Sequence, residues 1–186
     1  VVTQFLFRQA YSFRPMIVNG DFDLVLVKPI NSLFRVLVGG ADLIDLITIP
    51  PLVVLMFIYG AKLHPGTLGI ILFLALIVNA FVIATAFHIA ILALAIITLE
   101  IDHTVMIYRD LTNLGKLPVD IYKEPLKSFL TYLVPIGIMM TVPVKALIGM
   151  ISFIGVISSV AIGCLSILLA LKFWRFALKE YTGASS

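Results

Sequence analysis

Residues 63–99 contain no Asp, Glu, Lys or Arg. At about 1.5 Å per residue, a helix over residues 68–99 is about 48 Å long. A hydrocarbon core about 30 Å thick needs only about 20 residues. The stretch therefore predicts a membrane helix that tilts, projects beyond the bilayer or breaks near His88. A second uncharged run, residues 146–171, is also long enough to cross. Hydrophobic residues make up 61% of the 186-residue chain and charged residues 12%, against about 25% charged in an ordinary soluble domain. A soluble chain of this length has no interior large enough for so much apolar surface, whereas lipid solvates it directly. Backbone polar groups in hydrocarbon must bond to one another, so the spans must be helical. The expected fold is all-α, a polytopic membrane helix bundle with about four crossings in this chain.

Two further segments complete the four. Residues 41–61 carry Pro50 and Pro51 near the middle and Asp42 and Asp45 near the start. Residues 128–144 are weaker, with Pro135 and Pro143 inside. Each proline removes a helix hydrogen bond, so this segment predicts a broken or re-entrant element shielded by its neighbours. In the last segment Gly155, Ser159 and Gly163 recur every fourth residue, a face on which another helix can approach closely. Arg8, Arg14, Lys28 and Arg35 precede the first segment, and Lys172, Arg175 and Lys179 follow the last. Basic residues accumulate on the cytoplasmic side, so both ends are expected there and residues 62–67 outside. Residues 100–127 are ambiguous. Ile101, Val105, Tyr108 and Leu111 fall at helical spacing opposite Asp102, Arg109 and Asp110, which fits either a surface helix or a polar-lined crossing. A Gly115-Lys116-Leu117-Pro118 break follows. Residues 1–7 read as the tail of an apolar element whose beginning is missing.

Constellations that carry chemistry are thin. The scattered net charge of +3 contains no basic block of the kind that grips nucleic acid. The single cysteine, Cys164, lies in an apolar run and offers neither a disulfide nor a metal site. His64, His88 and His103 form no metal-binding pair, and there is no GxSxG elbow or GxxxxGK[ST] phosphate loop. His88 reads as a satisfied structural histidine, with a place on a substrate path as the alternative. Asp42 and Asp45 suit a helix N-terminus, where the dipole favours negative charge. Neither catalytic residues nor a metal or other cofactor is expected.

The most informative segment is VNGDFDLVLVKPINSL, residues 18–33. Gly20 and Pro29 punctuate it, and Asn19, Asp21 and Asp23 mark a turn and helix cap. The apolar run Leu24-Val25-Leu26-Val27 is too short to cross a membrane. Flanked by charges, it suits docking to another protein; a helix lying on the membrane surface is the alternative.

The residues NGDFDLVLVKPINSLF resemble the G-x-(L/F)-D-x-x-L-x-(R/K)-P signature of the ABC-2 type transporter permeases, through Gly20, Asp23, Lys28 and Pro29. The stretch LPVDIYKEPLKSFLTYLVPIGIMMTVPVKALIG is similar to a second motif of that family. It matches at Pro118, Asp120, Tyr122, Pro125, Pro135, Pro143, Leu147 and Gly149. The ending FWRFALKEYTGASS resembles the family terminus through Trp174, Leu178, Tyr181 and Ser186. Lys145 departs from the pattern, standing where the family usually has a small or polar residue. So do Leu117, in place of a common tyrosine, and Leu99-Glu100-Ile101-Asp102, in place of an aromatic pair.

The resemblance implies a transport subunit rather than an enzyme, members having about six crossings of about 20 residues each, so this chain would be a C-terminal part lacking the first helices. Residues 1–40 would hold the end of a preceding helix and a cytoplasmic coupling segment. Residues 41–186 would form the transmembrane domain with a short cytoplasmic tail. Such a permease pairs with a second permease copy, identical or not, and with ABC ATP-binding subunits that hold the ATP, in a bacterial inner membrane, and acts as an exporter. Gly20, Asp23, Lys28 and Pro29 are then the candidate ATPase-coupling residues. Pro118, Asp120, Tyr122, Pro135 and Pro143 are candidates for a gate or re-entrant region. A membrane-embedded enzyme and a non-transporting scaffold are the alternative readings.

Overall fold

A computed structural model describes residues 2–38, 43–98 and 101–182. Asp42, Leu99, Glu100 and Ser186, singled out above, lie outside the described residues, as do the side chains of Ile101, Asp102, His103 and Val105. All regular elements among the described residues are helical. Four short helices come first: α1 (Val2–Leu6), α2 (Phe13–Val18), α3 (Asp21–Val27) and α4 (Ser32–Leu37), with a 3-10 turn over Arg8–Ser12. Long α5 (Leu43–Ala61) and α6 (Thr67–Thr98) follow, then α7 (Ile101–Leu114), a 3-10 turn at Val119–Ile121, short α8 (Leu126–Ser128), α9 (Ile136–Leu147) and long α10 (Phe153–Glu180).

Helices α5, α6 and α10 are long and apolar enough to cross a membrane. The prolines of α5 do not interrupt it. No residue of its span is buried, and most of its surface is apolar and exposed, a surface that lipid solvates and water does not. Helix α6 runs unbroken for 32 residues. The break considered near His88 does not occur, because no proline lies between Thr67 and Thr98 to remove a backbone donor. His88 is buried, its ring 4.7 Å from Phe7 and 6.2 Å from Tyr11.

Residues 126–147 form two helices bent by 90°. A π-helical turn, Phe129–Leu133, leads into the bend. Pro135 supplies the cause. It has no N–H to continue the ladder and disfavours helical geometry at the residue before it, and Val134 is accordingly non-helical at φ −114°, ψ 83°. A broken or re-entrant element was expected here, and the bend sits on a buried core of Val119, Leu130 and Ile136, flanked by Leu111, Leu114 and Tyr122. In α7, Tyr108 and Leu111 are half-buried while Arg109 and Asp110 are exposed, as the periodicity predicts.

The last span starts later than residue 146. Residues up to Leu147 complete α9, and the chain then reverses through bonds from the Gly149 N–H to the Ala146 carbonyl and from the Met150 N–H to the Lys145 carbonyl. Ser152 caps α10, its Oγ accepting from the Gly155 N–H at 3.1 Å.

The described chain divides into two compact units that interleave along the sequence. One takes Val1–Pro51, Thr85–Met106 and Leu168–Ser186; the other takes Leu52–Ala84 and Ile107–Ile167. In the second unit the small-residue face of α10 meets α6. Asn79 is buried and donates from Nδ2 to the Ser159 carbonyl at 2.9 Å. A Cβ added at Gly163 would overlap the Asn79 side-chain amide. The close approach expected of Ser159 and Gly163 is thus made to a polar residue, whose amide would otherwise be unsatisfied in an apolar surround.

Gly163→Ala should therefore destabilise the detergent-solubilised protein by about 2 kcal/mol through overpacking. Combining it with Asn79→Ala should recover part of that loss, because the clash and the amide disappear together. Thermal melts of the two single variants and the double variant check this; strictly additive losses would contradict the contact.

Candidate functional site

Gly20 and Asp23 of the first motif and Trp174 and Tyr181 of the last share one compact unit. Asn19 and Gly20 close α2 through bonds to the carbonyls of Pro15 and Ile17, at 2.9 and 3.1 Å. Gly20 has φ +77°, a left-handed conformation that costs other residues roughly 1–2 kcal/mol. It turns the chain directly into α3, whose first turn carries Asp21 and Asp23 at the favourable end of the dipole. Pro29 stops the helix by holding Lys28 extended at ψ 146°. Asn31 then caps α4, accepting from the Phe34 N–H at 3.0 Å.

Helix α3 has two faces. Phe22 and Val25 point inward and are buried, whereas Leu24 and Val27 are 62% and 83% exposed. Phe22 packs on Phe13 at 4.9 Å between ring centroids, on Tyr181 at 5.2 Å and on Trp174 at 6.3 Å. The Tyr181 hydroxyl donates to Asp23 Oδ1 at 2.8 Å. Burial, followed by this bond and the charge of Asp23, pushes the Tyr181 hydroxyl up to about 12. Of the four residues matched to the first motif, Gly20 and Asp23 belong to this cluster, while Lys28 and Pro29 lie exposed beyond it. Phe13 and Phe22 were not singled out from the sequence. The available signal was the density of aromatic residues on either side of Gly20.

The second motif is organised within the other unit. Asp120, in the 3-10 turn that Pro118 initiates, accepts from Lys127 Nζ at 3.0 Å and from Lys145 Nζ at 2.5 Å. Lys145, the departure from the family pattern, is therefore a partner of a matched aspartate. The Val119 N–H donates to Thr141 Oγ1 at 3.1 Å, and the Tyr122 hydroxyl donates to the Leu114 carbonyl at 2.9 Å. Pro135 makes the bend and Pro143 is buried inside α9. A cavity of about 330 Å³ opens beside these groups, lined among others by Asp120, Lys127, Lys145, Thr131, Ser152 and Ser158. Among the described residues no three His, Cys, Asp or Glu side chains converge as a metal site would require.

The Lys145 and Lys127 ammonium groups hold the Asp120 carboxyl below its ordinary value of 3.8. A carboxylate with a lowered folded value stabilises the fold fully above its unfolded value and loses that contribution as the pH falls through the lowered one. Asp120 is 37% exposed, so solvent screening limits the effect of Asp120→Asn to about 1 kcal/mol or less at neutral pH. Melting curves of wild type and variant should differ at pH 7 and converge below pH 3.8. A gap that persists in acid would exclude the ion pairs as its source.

The model of a protein family described as ABC-2 family transporter protein matches residues 1–185. No curated protein and no solved structure matches the chain. The match runs through the three long apolar helices, the bent pair and both clusters. The chain belongs to the ABC-2 transporter family and is a multi-pass membrane permease subunit.

Proposed function

We propose that this permease exports a substrate across a bacterial inner membrane using ATP bound and hydrolysed by a separate ATP-binding subunit, with a second permease copy completing the pathway. The permease itself holds no cofactor in this reading. Helix α3 is the surface on which the ATP-binding subunit docks. The observation that carries the reading is the two-faced construction of α3. A seven-residue helix, set by Gly20 at one end and Lys28-Pro29 at the other, holds Phe22 and Val25 in a buried cluster while presenting Leu24 and Val27 outward. A short helix fixed from behind and apolar in front suits a protein groove better than water.

The charge pattern supports a cytoplasmic position for this surface. The basic residues flanking the first span (Arg8, Arg14, Lys28 and Arg35) share a compact unit with those following the last (Lys172, Arg175 and Lys179), and such flanks favour the cytoplasmic side. The bent pair with Asp120, Tyr122, Pro135 and Pro143 is the proposed gate or re-entrant element. Irregular backbone at membrane depth is tolerated where protein buries it, and the buried core beneath the bend supplies that cover.

Leu24→Asp and Val27→Asp should each weaken association with the ATP-binding subunit by about 2 kcal/mol, roughly 30-fold, if they occupy the centre of the interface. Co-purification in mild detergent and a binding titration measure this. Undiminished binding by both variants would remove α3 from the interface.

A further inference from the structure

We propose that Trp174, near the C-terminal end of α10, and Tyr181, just beyond it, are positioning residues that carry movement of the α3 docking helix into the membrane-spanning helix. This deepens the coupling reading and rests on it. Docking at Leu24 and Val27 does no work in the membrane unless something behind α3 transmits it. The only side chains of α3 that are buried are Phe22 and Val25, and Phe22 meets both Trp174 and Tyr181. Phe13 closes the cluster from α2, 4.9 Å from Phe22 and 6.3 Å from Trp174.

Two properties make the contact a transmitter as well as a packed core. First, the rings are fully enclosed: Phe13 and Phe22 are 0% exposed and Trp174 4%. A close-packed interior has little compressibility, so a displaced ring displaces its neighbours. Second, aromatic faces can slide over one another, whereas the 2.8 Å bond from the Tyr181 hydroxyl to Asp23 is directional. It pins the first turn of α3 to the chain just beyond α10. Helix α10 has no proline over its 28 residues, so displacement of its end passes along a continuous hydrogen-bonded ladder. Asp23 thereby serves inward, toward Tyr181, while Leu24 and Val27 serve outward.

The test uses the full permease with its ATP-binding subunit in lipid vesicles, and ATP with vanadate as the probe, so that no substrate is needed. A spin label is placed at Leu169→Cys, an exposed position on α10, in a Cys164→Ser background. In this parent, ATP with vanadate should change the label's spectrum. Tyr181→Phe and Trp174→Ala should each reduce that change by about fivefold or more, while binding of the ATP-binding subunit and ATP hydrolysis stay within about twofold. Trp174→Phe, which keeps a ring in the cluster, should retain most of the response. Tyr181→Phe removes one hydroxyl and leaves the aromatic packing, so it remains informative if Trp174→Ala fails to fold. A full response in Tyr181→Phe and in any folded Trp174→Ala protein, or a silent label in the parent with the subunit bound, overturns the link. Failure of the ATP-binding subunit to bind the parent overturns the docking reading instead.

Discussion

An amide group in hydrocarbon has no water to bond, and this one constraint organises the chain. Helices α6 and α10 satisfy it by internal bonding over their lengths, and α5 does so apart from the bonds that Pro50 and Pro51 remove. Several departures from helix among the described residues are covered in some other way. The π-helical turn and the Pro135 bend lie on Val119, Leu130 and Ile136. The reversal after α9 reuses the Ala146 and Lys145 carbonyls, and Ser152 supplies the cap that opens α10. The same demand accounts for Asn79, a polar side chain in an apolar helix that bonds a carbonyl of its neighbour.

Away from the three long helices, the polar and aromatic residues do the organising. They do so in two chemically different ways. Around α3 the cohesion is aromatic, with one directional bond between Tyr181 and Asp23. Around the bent pair it is ionic, with one carboxylate between two ammonium groups and hydroxyls lining the adjoining cavity. The first resists deformation and suits a mechanical contact. The second responds to pH and to competing charges, because a partly exposed ion pair is only weakly favoured over its hydrated partners.

Much of this was legible in the residues. The apolar runs gave α5 and α6 to within a few residues, because length and apolarity alone decide whether a helix can cross. Pro135 marked the bend by the donor its ring removes, yet Pro50, Pro51 and Pro143 remove donors in the same way and lie inside unbroken helices. Gly20 and Pro29 marked the limits of α3 for equally local reasons. Other features misled or stayed silent. The run of residues 146–171 suggested one helix, but the reversal at Gly149 and the cap at Ser152 place its start at Phe153. The competing outcomes near His88 could not be separated by hydropathy, since a histidine sheathed by Phe7 and Tyr11 leaves the helix intact.

What the sequence determined by itself was the solvent, the helical class and the family, because these depend on composition, on local backbone chemistry and on short motifs. What only the tertiary structure decided was which motif residues act together. Asp23 and Tyr181 stand at opposite ends of the chain, yet they share a hydrogen bond. Lys145, which fits no motif, completes the pair of cations on Asp120. Such partnerships are set by how the helices pack, and packing depends on side-chain shape across distant elements rather than on any period or spacing within one.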